Sequence, residues 1–161
     1  ALRTDAVTIL ITQRVRVTHM IETILLAVED NESRMMAVAE HAAEIAAGLD
    51  ATVVLYHVYE PEEFKSQLET RNIDSKDPAE LARQNVTVEA VATVLKDAGV
   101  EFSVEASTGK ADEELTEYIN THDIDHVFVG GRNRSPAGKA ILGSVSQRVM
   151  LDSDVPCTLV R

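Results

Sequence analysis

At 161 residues, 45% of them apolar, the chain is long enough to bury one hydrophobic core without disulfides or a structural metal. A formal net charge of -12 and a pI near 4.7 oppose binding to a phosphate backbone, so nucleic acid is not an expected partner. One cysteine, Cys157, excludes an internal disulfide framework, and no run reaches the roughly 20 apolar residues of a membrane helix; the expectation is a cytoplasmic protein without a membrane partner.

Residues 1–19 carry three arginines and one aspartate, whereas the rest of the chain is strongly acidic, and the sign changes at Met20. They read as an appendage to a core over residues 20–161, although the β-rich stretch Val7 to Val17 could add an edge strand. The acidic, arginine-over-lysine balance fits either adaptation to high salt or an ordinary acidic protein.

Ile21 to Val28 is mostly apolar and closes on Glu29-Asp30-Asn31, the pattern of a strand buried on both faces. Ser33 to Ala47 sets Met35, Val38, Ala39, Ala42, Ile45, Ala46 and Leu49 on one helical stripe, with Gly48 as its stop. Ala51 to Val58 is the second strand. Glu60 to Lys76 is polar without a clear period and reads as a long surface excursion of the kind that covers a site. Asp77, Pro78 and Glu80 supply the N-cap, first residue and capping-box partner of a helix that ends at Gly99. Phe102 to Ala106, His126 to Val129 and Val155 to Val160 are further strands; Asp112 to Thr121 and Ser144 to Leu151 are helices. The alternation predicts an α/β fold, a five-stranded parallel sheet with helices on both faces, with ligands bound beyond the carboxyl ends of the strands. The chemically relevant segments are then those after Val28, His57, Ala106 and Val129.

After the fourth strand runs Gly130-Gly131-Arg132-Asn133-Arg134-Ser135-Pro136-Ala137-Gly138-Lys139-Ala140-Ile141-Leu142-Gly143-Ser144. A strand that leads through a glycine-rich loop into a helix lets backbone N–H groups approach phosphate oxygens, and the dipole at the Gly143-Ser144 helix start favours an anion. Arg132, Arg134 and Lys139 make this the most basic loop of an acidic chain, as a polyphosphate would need. The same residues admit a plainer reading, in which glycines turn the chain, Ser144 caps the helix with Gln147 as partner, and the cations balance nearby carboxylates. Asn133 stands where the first glycine of a P-loop belongs, and a dinucleotide fingerprint would follow the first strand instead.

Gly130, two residues, Asn133, nine residues, then Gly143-Ser144 keeps the spacing that ATP-binding universal stress proteins carry as Gly, two residues, Gly, nine residues, Gly-Ser or Gly-Thr. Together with Val28-Glu29 at the end of the opening strand, Leu55-Tyr56-His57-Val58, Gly109 ahead of the third helix and the closing Val155-Pro156-Cys157-Thr158-Leu159-Val160, it makes residues 20–161 resemble that family. The resemblance implies a Rossmann-like, adenine nucleotide α-hydrolase-like fold and a stress-response regulatory protein that binds ATP or another adenine nucleotide with little or no turnover. It places Gly130, Asn133, Gly143 and Ser144 around the phosphates with Mg or Mn, residue 29 by the nucleoside and Val58 in the adenine pocket. Ala27, Val28, Val129, Arg132, Arg134 and Val145 complete the expected binding set. Two positions depart from the family pattern: Glu29 replaces the usual Asp with a longer carboxylate that crowds the ribose, and Asn133 replaces a glycine, the milder change because Asn tolerates a left-handed conformation.

Other chemistries are poorly supported. His57 beside Glu29 falls short of a metal ligand set. The serines lack a Gly-x-Ser-x-Gly elbow, Cys157 in an apolar strand reads as a small core residue, and Met35, Met36 and Met150 read as core or near-core helix positions. An enzyme of the related nucleotide-binding superfamily would need a Ser-Gly-Gly pyrophosphatase-type loop or a His-x-Gly-His pair, and neither occurs. A nucleotide-independent dimeric interaction module is the other alternative. The segment Val155 to Val160, apolar and β-branched, would lie at a sheet edge in the family's strand order and invite a second copy, so a homodimer is expected.

Overall fold

The computed structural model describes residues 20–131 and 143–161. Five strands among them, β1 (Thr23–Ala27), β2 (Thr52–Tyr59), β3 (Phe102–Thr108), β4 (His126–Gly130) and β5 (Cys157–Val160), form one wholly parallel sheet in the order β3-β2-β1-β4-β5. The helices are α1 (Glu32–Leu49), α2 (Pro61–Arg71), α3 (Pro78–Ala82), α4 (Val86–Asp97), α5 (Ala111–Thr121) and α6 (Ser144–Asp152). None is long and apolar enough to cross a membrane. Val7 to Val17 and the rest of residues 1–19 lie outside the described residues.

Successive strand residues face opposite sides of a sheet, which explains the near-continuous apolar run of β1. Ile24 and Leu26 pack with Met35, Val38, Ala42 and Ala46 of α1 and with Val88, Val91 and Leu95 of α4. Leu25 and Ala27 pack on the other side with Leu115 and Ile119 of α5 and Val149 of α6. The entry to β1 is fixed by Asp125, whose carboxylate accepts the N–H groups of Glu22 and Thr23, each at 2.9 Å.

Several local expectations are corrected. Helix α1 runs through Gly48 and ends at Asp50, whose φ of 54° takes the left-handed position expected of the glycine. Ile45 and Leu49 are 40% and 47% exposed, and Ala43 is buried instead, because the buried stripe follows Met35-Ala39-Ala43 and Val38-Ala42-Ala46. The excursion after Glu60 is helix α2, begun by Pro61 and closed by Asn72 at φ 52°. It escaped detection because only Phe64 and Leu68, one turn apart, contact the core, against Tyr59, and no residue of the helix is fully buried. The single helix expected from Asp77 to Gly99 is broken: α3 lasts five residues, and Asn85 caps a new helix by accepting from Thr87 N at 2.9 Å and Val88 N at 3.1 Å. Gly99, at φ 71°, does follow its end. Strand β5 starts at Cys157, two residues later than expected, and Met150 is 46% exposed. Cys157 packs against the α5 and α6 side of the core, and burial pushes its thiol up to about 11, so it is overwhelmingly protonated at neutral pH.

Candidate nucleotide cleft

From β1 the chain winds outward to β2 and β3, then returns to β4 on the other side of β1 and continues to β5. The order reverses between β1 and β4, and the crevice at such a switch point is where open α/β sheets hold ligands. A cleft of about 190 Å³ lies there, at the carboxyl ends of the strands. Ala27, Val28, Glu29 and Asp30 follow β1 into it, with Tyr56, His57 and Val58 from β2, Ala111 and Leu115 from α5, Val129 from β4 and Val145 from α6. Its apolar walls suit a flat heterocycle, and its polar groups gather on the Glu29, Asp30 and His57 side. A larger groove of about 440 Å³, between α4 and edge strand β3, lies on the flank of the sheet away from the strand ends.

The peptide of Val28 is held on both sides. Its N–H donates to Tyr56 O at 2.9 Å, and His57 Nδ1 lies 2.7 Å from its carbonyl oxygen. A carbonyl only accepts, so Nδ1 carries the proton. The other ring nitrogen, Nε2, is buried without a hydrogen-bond partner among the described residues, 4.0 Å from Asp30 Oδ1. Tyr56 donates to Ser107 Oγ at 2.8 Å, and burial raises its pKa. Glu29 is engaged as well: Arg34, in the first turn of α1, donates through Nη1 to Glu29 Oε2 at 2.7 Å. Among the described residues no three His, Cys, Asp or Glu side chains gather as a metal site.

Residues 20–161 match the universal stress protein family. The chain belongs to that family. It is 38% identical over 68 residues to a universal stress protein of Mycolicibacterium smegmatis, a match that takes in 42% of this chain and only about half, 52%, of the relative's length. A universal stress protein structure from Archaeoglobus fulgidus superposes with a TM-score of 0.68 at 21% identity, over 87% of this chain and 98% of that one. A universal stress protein in complex with cAMP gives 0.63 at 20% identity, over 88% and 97% of the two chains. An Archaeoglobus fulgidus universal stress protein in complex with dAMP gives 0.62 at 16% identity, over 88% and 99%. These likenesses show the fold, the five-stranded parallel α/β sheet expected of the sequence.

In this universal stress protein, Ala27, Val28, Glu29, Val58, Val129 and Val145 come together, all lining the cleft. Gly130 ends β4 beside them, and its carbonyl accepts from the buried Ser146 hydroxyl of α6 at 3.0 Å. That bond fixes the start of α6 against the end of β4. Gly143 is the N-cap of α6, with Ser144 as its first helical residue; Ser144 is not the cap, and no side chain caps this end among the described residues. Arg132, Asn133 and Arg134 lie outside the described residues. Sequence reasoning missed Asp30, Tyr56, Ala111 and Leu115 as lining residues, and Arg34 altogether. The first two adjoin residues that were named, whereas Arg34 does not line the cleft and reaches it only through its bond to Glu29.

Proposed function

We propose that this universal stress protein binds an adenine nucleotide, ATP or a close relative, in the cleft between β1 and β4, and acts as a stress-response binding module with little or no turnover. The observation that carries the reading is the juxtaposition of an apolar slot at the switch point with the N-terminus of α6, where Gly143 leaves the first-turn N–H groups without a side-chain cap. The cAMP and dAMP complexes of similarly folded relatives support the adenine class. In this reading Val28 and Val58 flank the base, Glu29 faces the ribose, and the phosphates point toward Gly130, Gly143 and Ser144, with Arg132, Asn133 and Arg134 of the connecting loop completing the set. A divalent cation, Mg or Mn, would ride chiefly on the phosphate oxygens, whose hard donors suit it.

Calorimetric titration of nucleotide-stripped protein with ATP and GTP tests the reading. ATP should bind and GTP should bind more weakly. Gly143→Val should abolish ATP binding, because the added side chain occupies the backbone's path to a phosphate. A folded Gly143→Val protein with undiminished ATP affinity would refute the assignment.

The assembly proposed is a homodimer through β5. That strand is a sheet edge with Cys157, Thr158 and Leu159 only half-buried, and the neighbouring α6 leaves Leu151 74% exposed.

A further inference from the structure

Among the described residues, the charge lining the cleft is one-sided. Its two carboxylate side chains, Glu29 and Asp30, face a ligand that would itself carry negative phosphate, and the chain as a whole is at -12. Arg34 stands against them. Its guanidinium bonds Glu29 Oε2 at 2.7 Å, and the two side chains are 25% and 36% exposed, so the pair is sheltered at the rim and not splayed into solvent.

The stem of Arg34 is placed just as tightly. A Cβ on Gly130 would meet Arg34 Cδ at 2.7 Å and Cγ at 3.1 Å, so the side chain lies flat on the glycine that ends β4. Arg34 therefore bridges the ends of β1 and β4, the two strands that bound the switch point, with its head at Glu29 and its stem on Gly130. A residue other than glycine at position 130 would push it away.

We propose that Arg34 is a phosphate-discriminating residue of this cleft. It neutralises Glu29 and donates to a phosphate oxygen of the bound nucleotide, so that the site selects phosphorylated adenosine over adenosine. The proposal rests on the adenine-nucleotide reading above and adds a specificity to it. A guanidinium presents five N–H donors in a planar fork, enough to hold a carboxylate with one edge and a phosphate with another. A surface ion pair with a purely structural task would behave differently: its removal would weaken all ligands alike through the fold, or change nothing. The proposal also gives Gly130 a reason beyond backbone freedom, since its missing side chain seats the arginine.

The test is equilibrium titration of the full chain with ATP, AMP and adenosine, for the wild type, Arg34→Met and Arg34→Lys, with thermal melts to confirm folding. Arg34→Met keeps an apolar stem and removes the charge and its donors. It should raise the Kd for ATP and AMP by about tenfold or more, the scale of a lost charged hydrogen bond, and leave that for adenosine within about twofold. Arg34→Lys should recover part of the loss, and the ATP penalty in Arg34→Met should shrink as salt is raised. An equal change for all three ligands, or none, in the folded variant overturns the proposal and leaves nucleotide binding intact. A wild-type protein that binds none of the three overturns the nucleotide reading and this one with it.

Discussion

Tyr59 carries a hydroxyl that should make the protein less stable. The side chain is fully buried at the end of β2, its ring edge-on to His57 at 4.4 Å and tilted against Phe64 at 5.8 Å, and among the described residues its hydroxyl has no hydrogen-bond partner of good geometry, although the Asn85 side chain faces it. Burial, reinforced by the charge of Asp30, pushes its pKa up to about 12. Tyr59→Phe removes that one oxygen and keeps the ring. Where a buried hydroxyl is bonded, its loss costs about 1 kcal/mol; where it is unsatisfied, its presence costs about 1–3 kcal/mol of desolvation. Allowing for the oxygen's lost dispersion contacts, the variant should gain roughly 1 kcal/mol at pH 7, or about 2–4 °C in Tm for a chain of this size. A second readout comes from alkaline pH. In the unfolded chain tyrosine titrates near 10, so between pH 10 and 12 the unfolded state sheds a proton that folded Tyr59 keeps, and wild-type stability falls across that window by on the order of 2 kcal/mol. The variant lacks this contribution, while Tyr56 and Tyr118, also raised by burial, act equally in both proteins. Urea unfolding followed by circular dichroism at pH 7 and from pH 9.5 to 11.5 measures both effects. A loss above about 1 kcal/mol at pH 7 would mean that the hydroxyl is bonded, with Asn85 as the facing amide, and parallel alkaline profiles would show that Tyr59 ionises like an exposed tyrosine.

Asn85→Ala should cost about 1–2 kcal/mol, because the side chain caps α4 through two N–H groups and also donates to Asp30 at 3.2 Å; a lower urea midpoint with an unchanged m-value is the expected signature. The protein should scatter light as a dimer at low and high salt alike, since an apolar β5 interface is not screened, and Leu151→Asp should shift it toward monomer; a wild-type monomer in every condition would rule the dimer out.

The sheet was legible because burial on both faces leaves its mark directly in the sequence. Ile24 to Ala27 and Val53 to Tyr56 have no polar residue that would break the run, and the helices between them show a helical period. What escaped was set by weaker or more distant forces. Helix α2 covers one corner of Tyr59 with two side chains, too few to impose a period on an otherwise charged segment. The end of α1 falls at Asp50 and not at Gly48 because Ala43 and Ala46 remain buried under the sheet, and their packing carries the helix past a residue that could have ended it. The break before α4 was written in Asn85, whose capping role is visible only once Thr87 and Val88 are seen to bury against the core.

The cleft divides along the same line. Its walls are main chain and small apolar groups fixed by the sheet, and the residues that end β1, β2 and β4 could be placed from strand boundaries alone. The base-facing edge in the proposed mode is the peptide of Val28, whose two hydrogen bonds, from His57 and to Tyr56, leave it little freedom to adapt. Selectivity must then come from the few side chains that can respond to a ligand's charge. Glu29 would be a liability by itself, a second negative charge beside a ligand that carries its own. Arg34 turns it into an anchor, holding a cation beside a cleft whose described lining residues include none, and that placement depends on the absence of a side chain at Gly130. The three residues act as one unit although they come from three separate elements, so no local spacing announces them, and changing any one of them should alter how the site reads phosphate.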